Sequence, residues 1–340
     1  MKTQAGKTLR VIVVTAATLA RRKGTLALCL VFCVLALSVS ARADEDHHHQ
    51  IITFNAPDAG TGAGQGTIAV AINPAGAITG AYVDASNVVH GFLRAVDGAI
   101  TPFDAPDDVN GTFAYSINPA GAIAGVVVDE NNVSHGFVRT PDGAFTTFDA
   151  PDAGTGAFQG TFINSRDCLN PAGAIAGDYL DANNVHHGFV RDPDGTVTEF
   201  DAPGAGTDAG QGTHNLGINP AGTSEGWYLD SSGVSHSYVR AADGGIIEFN
   251  LPGAGTGAGQ GTTALSINPP GDIAGRYLDP NNVYHGFQRA KHGAITTFDV
   301  PGAGTEAGQG TLPQDNNPVD AITGAYIDAS GVIHGFLRTP

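Results

Sequence analysis

The chain has 340 residues, 48 of them Gly and 19 Pro, with 41% apolar and 14% charged residues. It is too Gly-rich for a helical bundle, too apolar for disorder, and without the Gly-X-Y triplet of collagen. A formal charge of −17 and three Cys leave a turn-rich globular protein, long enough for two average domains or for one large repetitive all-β domain.

Residues 1–43 stand apart from the rest. Arg21, Arg22 and Lys23 precede an apolar run from Leu26 to Val39, followed by Ala41-Arg42-Ala43 and the acidic Asp44. This is the layout of a secretory signal peptide cleaved after Ala43. A bilayer crossing takes roughly 20 apolar residues, so the short run leaves an uncleaved anchor as the weaker alternative. Bulky Leu28 and Phe32 precede Cys29 and Cys33, which argues against a lipid anchor. Cleavage removes seven basic and no acidic residues, taking the charge from −17 to −24. The expected product is exported, extracellular or periplasmic. Its surface repels phosphate backbones and anionic headgroups, so neither nucleic acid nor membrane is an expected partner. Only Cys168 remains, so no intramolecular disulfide is available. Residues 44–50 read as a mobile acidic tail whose His47-His48-His49 could hold a transition metal.

From residue 51 onward one unit repeats six times. Its Asn-Pro turn recurs at Asn73, Asn118, Asn170, Asn219, Asn268 and Asn317, and a His at His90, His135, His187, His236, His285 and His334, both stepping by 45, 52, 49, 49 and 49 residues. Unit two lacks most of its Gly-rich loop (residues 107–112), and unit three carries three extra residues around Arg166-Asp167-Cys168. Four short runs separated by turn signals predict four strands per unit. In unit one they are residues 67–73, 77–84, 88–95 and 99–105. The second turn ends at Asn87, Asn132, Asn184, Gly233, Asn282 or Gly331, residues that tolerate the left-handed conformation closing a three-residue hairpin loop. The resulting registers set Gly80 opposite Phe92 and Gly91 opposite Phe103, with like pairs in units two and three. An aromatic ring covering a bare glycine is expected of correctly paired strands.

Units of this size fall among propeller blades. Residues 51–57 match a fourth strand, and the chain stops after a third strand. The expectation is therefore an all-β, six-bladed β-propeller of four-stranded blades, closed by the N-terminal strand pairing with the last blade. The first strand of unit six, with Leu312-Pro313-Gln314, is expected to be irregular.

The repeated Ile-Asn-Pro-Ala-Gly-Ala-Ile-x-Gly-x-Tyr-x-Asp-x-x-Asn-Val-x-His-Gly-Phe, followed by Thr-x-Phe-Asp-Ala-Pro, resembles the HAF family of extracellular repeat proteins across residues 51–340. The resemblance implies an exported bacterial repeat protein and carries over no catalytic or binding residue.

The registers align Tyr82, His90 and Asp104 across three strands, and the row recurs with variations. A His–Asp pair suits general base catalysis. Repetition in every unit instead favours a structural network, as its likeness to the buried His–Asp networks of WD-repeat propellers implies. Arg94, Arg139, Arg191, Arg240, Arg289 and Arg338 end the third strands, either as an anion-binding ring or as stems covering the blade ends. Gly-rich loops could cradle an anion, and they bring Gln65, Gln159, Gln211, Gln260 and Gln309 to the face carrying Asp84, Asp129, Asp181, Asp230, Asp279 and Asp328. That face is the expected ligand-binding surface. No cofactor is called for; calcium at the Asp turns is the alternative, although Asp opening a turn needs no metal. Two functions remain open. One is a non-catalytic binding or scaffold module for a polysaccharide, another extracellular protein or an ion; the other is a propeller enzyme, a glycan hydrolase or lyase, acting in a central funnel. An enzyme should break the symmetry, and the breaks are Arg166-Asp167-Cys168, His214 and Trp227-Tyr228.

Overall fold

Each repeat folds into an antiparallel meander because turn residues of fixed chemistry separate its short runs. The computed structural model describes residues 52–106 and 108–340; the expected signal peptide and the tail at 44–50 lie outside the described residues. In unit one the strands are Gly66–Ile72, Ile78–Val83, Val89–Arg94 and Ile100–Phe103. Units two to five repeat this order, and unit six ends after its third strand, Ile333–Arg338. The second turn closes with φ between 61° and 79° at Asn87, Asn132, Asn184, Gly233, Asn282 and Gly331. This region of backbone space is cheap only for Gly and Asn.

The glycine–aromatic registers are present: Gly80 faces Phe92 and Gly91 faces Phe103, then Gly125–Phe137 and Gly136–Phe148, then Gly177–Phe189 and Gly188–Phe200. A Cβ on Gly188 would sit 2.8 Å from the Phe200 ring, so the ring fills the glycine's space. The apolar core lies between neighbouring sheets. Ala124 and Ala150 of unit two, for example, pack with Ile163, Ile175 and Phe189 of unit three. Such meanders, packed side by side with first strands innermost around one cavity, have the architecture of a β-propeller.

Neighbouring units are locked by repeated contacts. Each third-strand Arg lays its guanidinium on the fourth-strand Phe of the preceding unit, as with Arg139 on Phe103 at 4.9 Å and Arg191 on Phe148 at 4.6 Å. Asparagines of the Asn-Pro turns reach the next turn's carbonyl, from Asn73 to Asn118, Asn118 to Asn170, and Asn170 to Asn219. Units two to five each join the next by a parallel backbone bridge at the first-strand glycine.

Two first strands depart from expectation. That of unit six, Gly310–Asn316, is regular: it pairs with its neighbour around a bulge between Pro313 and Asp315, where units one, two, four and five have theirs. The irregular one belongs to unit three. It stops at Phe162, because the inserted residues leave the ladder, and only Leu169 bridges back to Ile175.

The junction of unit six with unit one is half made. Phe54 packs on Phe92 and lies under Arg94 at 5.0 Å, and the Ala56 amide donates to Thr67 Oγ1, all as a fourth strand does toward the unit that follows it. Residues 52–56 nevertheless form no strand, and their pairing with Ile333–Arg338 is not made. Gly335 has no ring over it, and Ile68, Ile72, Ile333 and Leu337 are each more than 60% exposed.

Candidate functional site

The first strands of five units and the inserted residues of unit three, with the Asn-Pro turns that follow them, wall one central cavity of about 390 Å³. Much of the wall is apolar, including Ile72, Ile117, Leu169, Ile218 and Ile267. A second space of about 190 Å³ is lined by Asn164, Ser165, Leu216, Leu265 and Gln314. Arg166, Asp167 and Asp315 line both spaces and so form the waist of a central channel.

The first strand of unit six brings Asp315 there, and the unit-three insertion brings Arg166 and Asp167. Having left the ladder after Phe162, the insertion is held by its own backbone to both neighbours. Ser116 Oγ of unit two donates to the Arg166 carbonyl at 2.6 Å, and the Ile218 amide of unit four donates to the Asp167 carbonyl at 2.9 Å. Cys168 anchors the far end, wholly buried beside Ile163 and Leu169. Burial pushes its thiol up to about 12, so it is an inert core residue.

At the waist burial and like charge act together on the carboxyls. Asp167 is pushed up to about 7, first by loss of solvent and then by the nearby Asp315, with Arg166 opposing. Asp315 is raised by burial as well. Behind them Glu225, fully buried on the second strand of unit four, is pushed up to about 8 by burial and by Asp167. Neither of its carboxyl oxygens has a well-formed hydrogen bond. Equivalent positions hold Thr79, Ala124, Ala176, Ala274 and Thr323, and Gly217 makes the room: a Cβ there would lie 3.0 Å from Glu225 Oε1 and 3.5 Å from the Asp167 Cβ. The cluster therefore holds its protons to higher pH than ordinary carboxyls do, beside a guanidinium.

The residues expected to bind ligand on the Gln and Asp face are occupied within the fold. Gln65 Oε1 accepts from the Gly62 amide at 2.8 Å, while its Nε2 donates to the Ala85 carbonyl and to Asn87 Oδ1. Gln159 and Gln260 repeat all three contacts, Gln309 two of them, and Gln211 the first. Unit two, which has no such Gln, uses Asn110 to reach the Asp129 carbonyl and Asn132, a substitution hidden by its shortened loop. All of these except Gln211 pin a loop to the second turn of their own unit. Asp84 Oδ1 caps that turn through the Ser86 and Val88 amides, as Asp129, Asp181, Asp230, Asp279 and Asp328 do in theirs.

The His row is a hydrogen-bonded stack. His90, His135, His187 and His285 present Nδ1 to Asp104, Asp149, Asp201 and Asp299 at 2.8–2.9 Å. His236 has Asn250 and Asp230, and His334 has Asp328. Tyr82, Tyr179, Tyr228, Tyr277 and Tyr326 stack on their His at 4.8–5.0 Å. The six third-strand arginines all lie against phenylalanine faces, and burial lowers the pKa of Arg139, Arg191, Arg240 and Arg289. They brace the junctions and form no open anion ring.

Arg166 and Asp167 were visible in the sequence as a break in the repeat. Glu225 and Asp315 were not, because only the fold brings units four and six to the same axis. A carboxylate where the other repeats carry Ala or Thr was the signal available for Glu225.

No protein-family model and no curated protein matches the chain. Solved structures similar to it include virginiamycin B lyase from Staphylococcus aureus, 14% identical over 79% of this chain and 83% of that one, with a TM-score of 0.48. A streptogramin B lyase is 15% identical over 81% and 84%, at 0.46. The Aleuria aurantia lectin, a fungal six-bladed β-propeller that recognises fucose, is 12% identical over 80% and 90%, at 0.44. At these identities no residue's role passes to this chain.

Proposed function

We propose that the protein is an exported, non-catalytic β-propeller module that binds a neutral, polyhydroxylated ligand of sugar size in its central cavity. The observation that carries this reading is the convergence of Arg166, Asp167 and Asp315, each outside the repeat pattern, on the one space walled by all six units. An apolar-walled cavity of a few hundred Å³ with a few convergent polar groups is the usual form of a small-ligand site. Because burial raises both Asp167 and Asp315, and the charge of Asp315 raises Asp167 further, the pair resists carrying two negative charges beside the single Arg166 guanidinium. A neutral ligand rich in hydroxyls fits that field better than a phosphate or a second cation. The signal-like residues 1–43 support export, and the repeat signature supports kinship with HAF proteins. The exposed edges of units six and one support a ring of six blades closed by residues 51–57, since closure would bury Ile68, Ile72, Ile333 and Leu337.

A second reading is favoured by one observation, the Asp167 carboxyl at about 7 beside a second carboxyl. Such a pair can serve as general acid and base in glycan cleavage. A thermal-shift screen of the purified protein against neutral mono-, di- and polysaccharides, with sugar phosphates as a contrast, separates the readings. Binding predicts a rise in melting temperature with a neutral sugar, abolished by Arg166→Gln and by Asp167→Asn, without release of product. No shift with any sugar would sink the binding reading; turnover abolished by Asp167→Asn would replace it with the enzymatic one.

A further inference from the structure

A second break in the symmetry lies away from the channel, at the junction of units three and four. Asp178 on the second strand of unit three, His186 on its third strand and His214 on the first strand of unit four project into one interface. His186 Nδ1 lies 2.9 Å and His214 Nδ1 3.1 Å from the same oxygen, Asp178 Oδ2. Among the described residues this is the one group of three His, Cys, Asp or Glu side chains whose donor atoms come within 4.8 Å of one another. None of the three lines the central cavity. The corresponding interface of units four and five holds Ser235 and Thr263, joined by a hydroxyl hydrogen bond, so two imidazoles and a carboxylate are not needed to build the junction.

We propose that Asp178, His186 and His214 bind a divalent transition metal of the zinc class. Asp178 is 1% exposed and its Oδ1 has no hydrogen-bond partner, a buried oxygen that ordinary packing would not leave unpaired. The His186 backbone is fixed by its bridge to Gly212 and by the hydrogen bond its amide donates to the Gln211 carbonyl, and His214 is clamped by Trp227, stacked at 4.0 Å. Ligands set on rigid strands in this way are pre-oriented. Two nitrogens and one carboxylate, with no thiolate, suit Zn²⁺, Co²⁺ or Ni²⁺ better than Ca²⁺, Mg²⁺ or Cu⁺. With bond lengths of about 2.0–2.2 Å to the ion, the Nδ1–Oδ2 distances of 2.9 and 3.1 Å need to lengthen by only a few tenths of an ångström. His186 and His214 keep 22% and 15% of their side chains exposed, which gives an ion its path in from solvent.

Trp227 is the only tryptophan in the chain, so its fluorescence reports directly on His214. The test uses the purified protein with His47, His48 and His49 replaced by Ser, because that run could take up metal by itself. Zn²⁺ is titrated calorimetrically, and Ni²⁺ is titrated against Trp fluorescence. The expected result is one Zn²⁺ per chain and quenching by Ni²⁺ that saturates at one equivalent. His186→Gln and His214→Gln, which retain a side chain able to hydrogen-bond Asp178, should each weaken binding by at least about tenfold. Absence of binding by the His47–His49-substituted protein at micromolar metal overturns the proposal without recourse to any further variant. Binding that leaves Trp227 unquenched and is equal in both Gln variants overturns it too, by putting the ion elsewhere.

Discussion

The rim and the axis of this molecule follow opposite rules. On the rim the repeated polar side chains are used up inside the fold: Asp84 caps a turn, Gln65 pins a loop, His90 bonds Asp104. On the axis Arg166, Asp167, Glu225 and Asp315 occur once each, and burial raises the three carboxyls, with Glu225 lacking a well-formed hydrogen bond. A residue needed in every blade is explained by building the blade; one that costs stability and occurs once calls for another explanation. The contrast assigns construction to the repeat and ligand recognition to its exceptions.

The largest effect is expected where the rim's construction is broken. Phe189 is fully buried and covers Gly177, so Phe189→Ala should cost about 3–5 kcal/mol in a denaturant melt. A loss below about 1 kcal/mol would show that the glycine–ring pairs do not hold the sheets.

The axis should respond to pH with a definite sign. Asp167 and Glu225 have folded-state pKa values raised to about 7 and about 8 from ordinary values of 3.8 and 4.5. Their protonated forms therefore belong to the folded protein. The stability they contribute is fully present below the unfolded values and is lost as pH rises through the folded ones. The turn aspartates run the other way: Asp84 and Asp328 are held low chiefly by backbone amides, so theirs is lost as pH falls. Melting temperature should decline from about pH 5 to pH 8. Glu225→Gln should remove a large part of the decline, on the order of a few kcal/mol at pH 8. An unchanged pH profile in that variant would mean that Glu225 titrates normally.

A smaller effect sharpens the division of labour. Gln159→Ala removes the loop pin at the start of unit three, with an expected cost of about 1 kcal/mol and no change in sugar affinity. Weakened sugar binding in Gln159→Ala would return the ligand to the Gln and Asp face.

Much of this was legible in the sequence. Turn residues such as Asn87 and Asp97-Gly98 encode local backbone geometry, and two turns of known type suffice to set Gly80 against Phe92 and Gly91 against Phe103. The role of the third-strand arginines stayed open because their phenylalanine partners lie in the preceding unit, a contact that no single repeat contains. The internal engagement of the Gln and Asp face was hidden for a related reason. Gln65 and Asp84 look free when read along the chain, and only the folded loop brings the Gly62 amide to one and the Ser86 and Val88 amides into register for the other. Glu225 and Asp315 meet Asp167 only at the axis, where distant units converge.

The most direct test measures one neutral sugar's affinity by calorimetry in four proteins, the wild type, Arg166→Gln, Asp167→Asn and Gln159→Ala. The account predicts binding in the wild type and in Gln159→Ala, and its loss in both axial variants. Binding that survives both axial substitutions and fails in Gln159→Ala would contradict it.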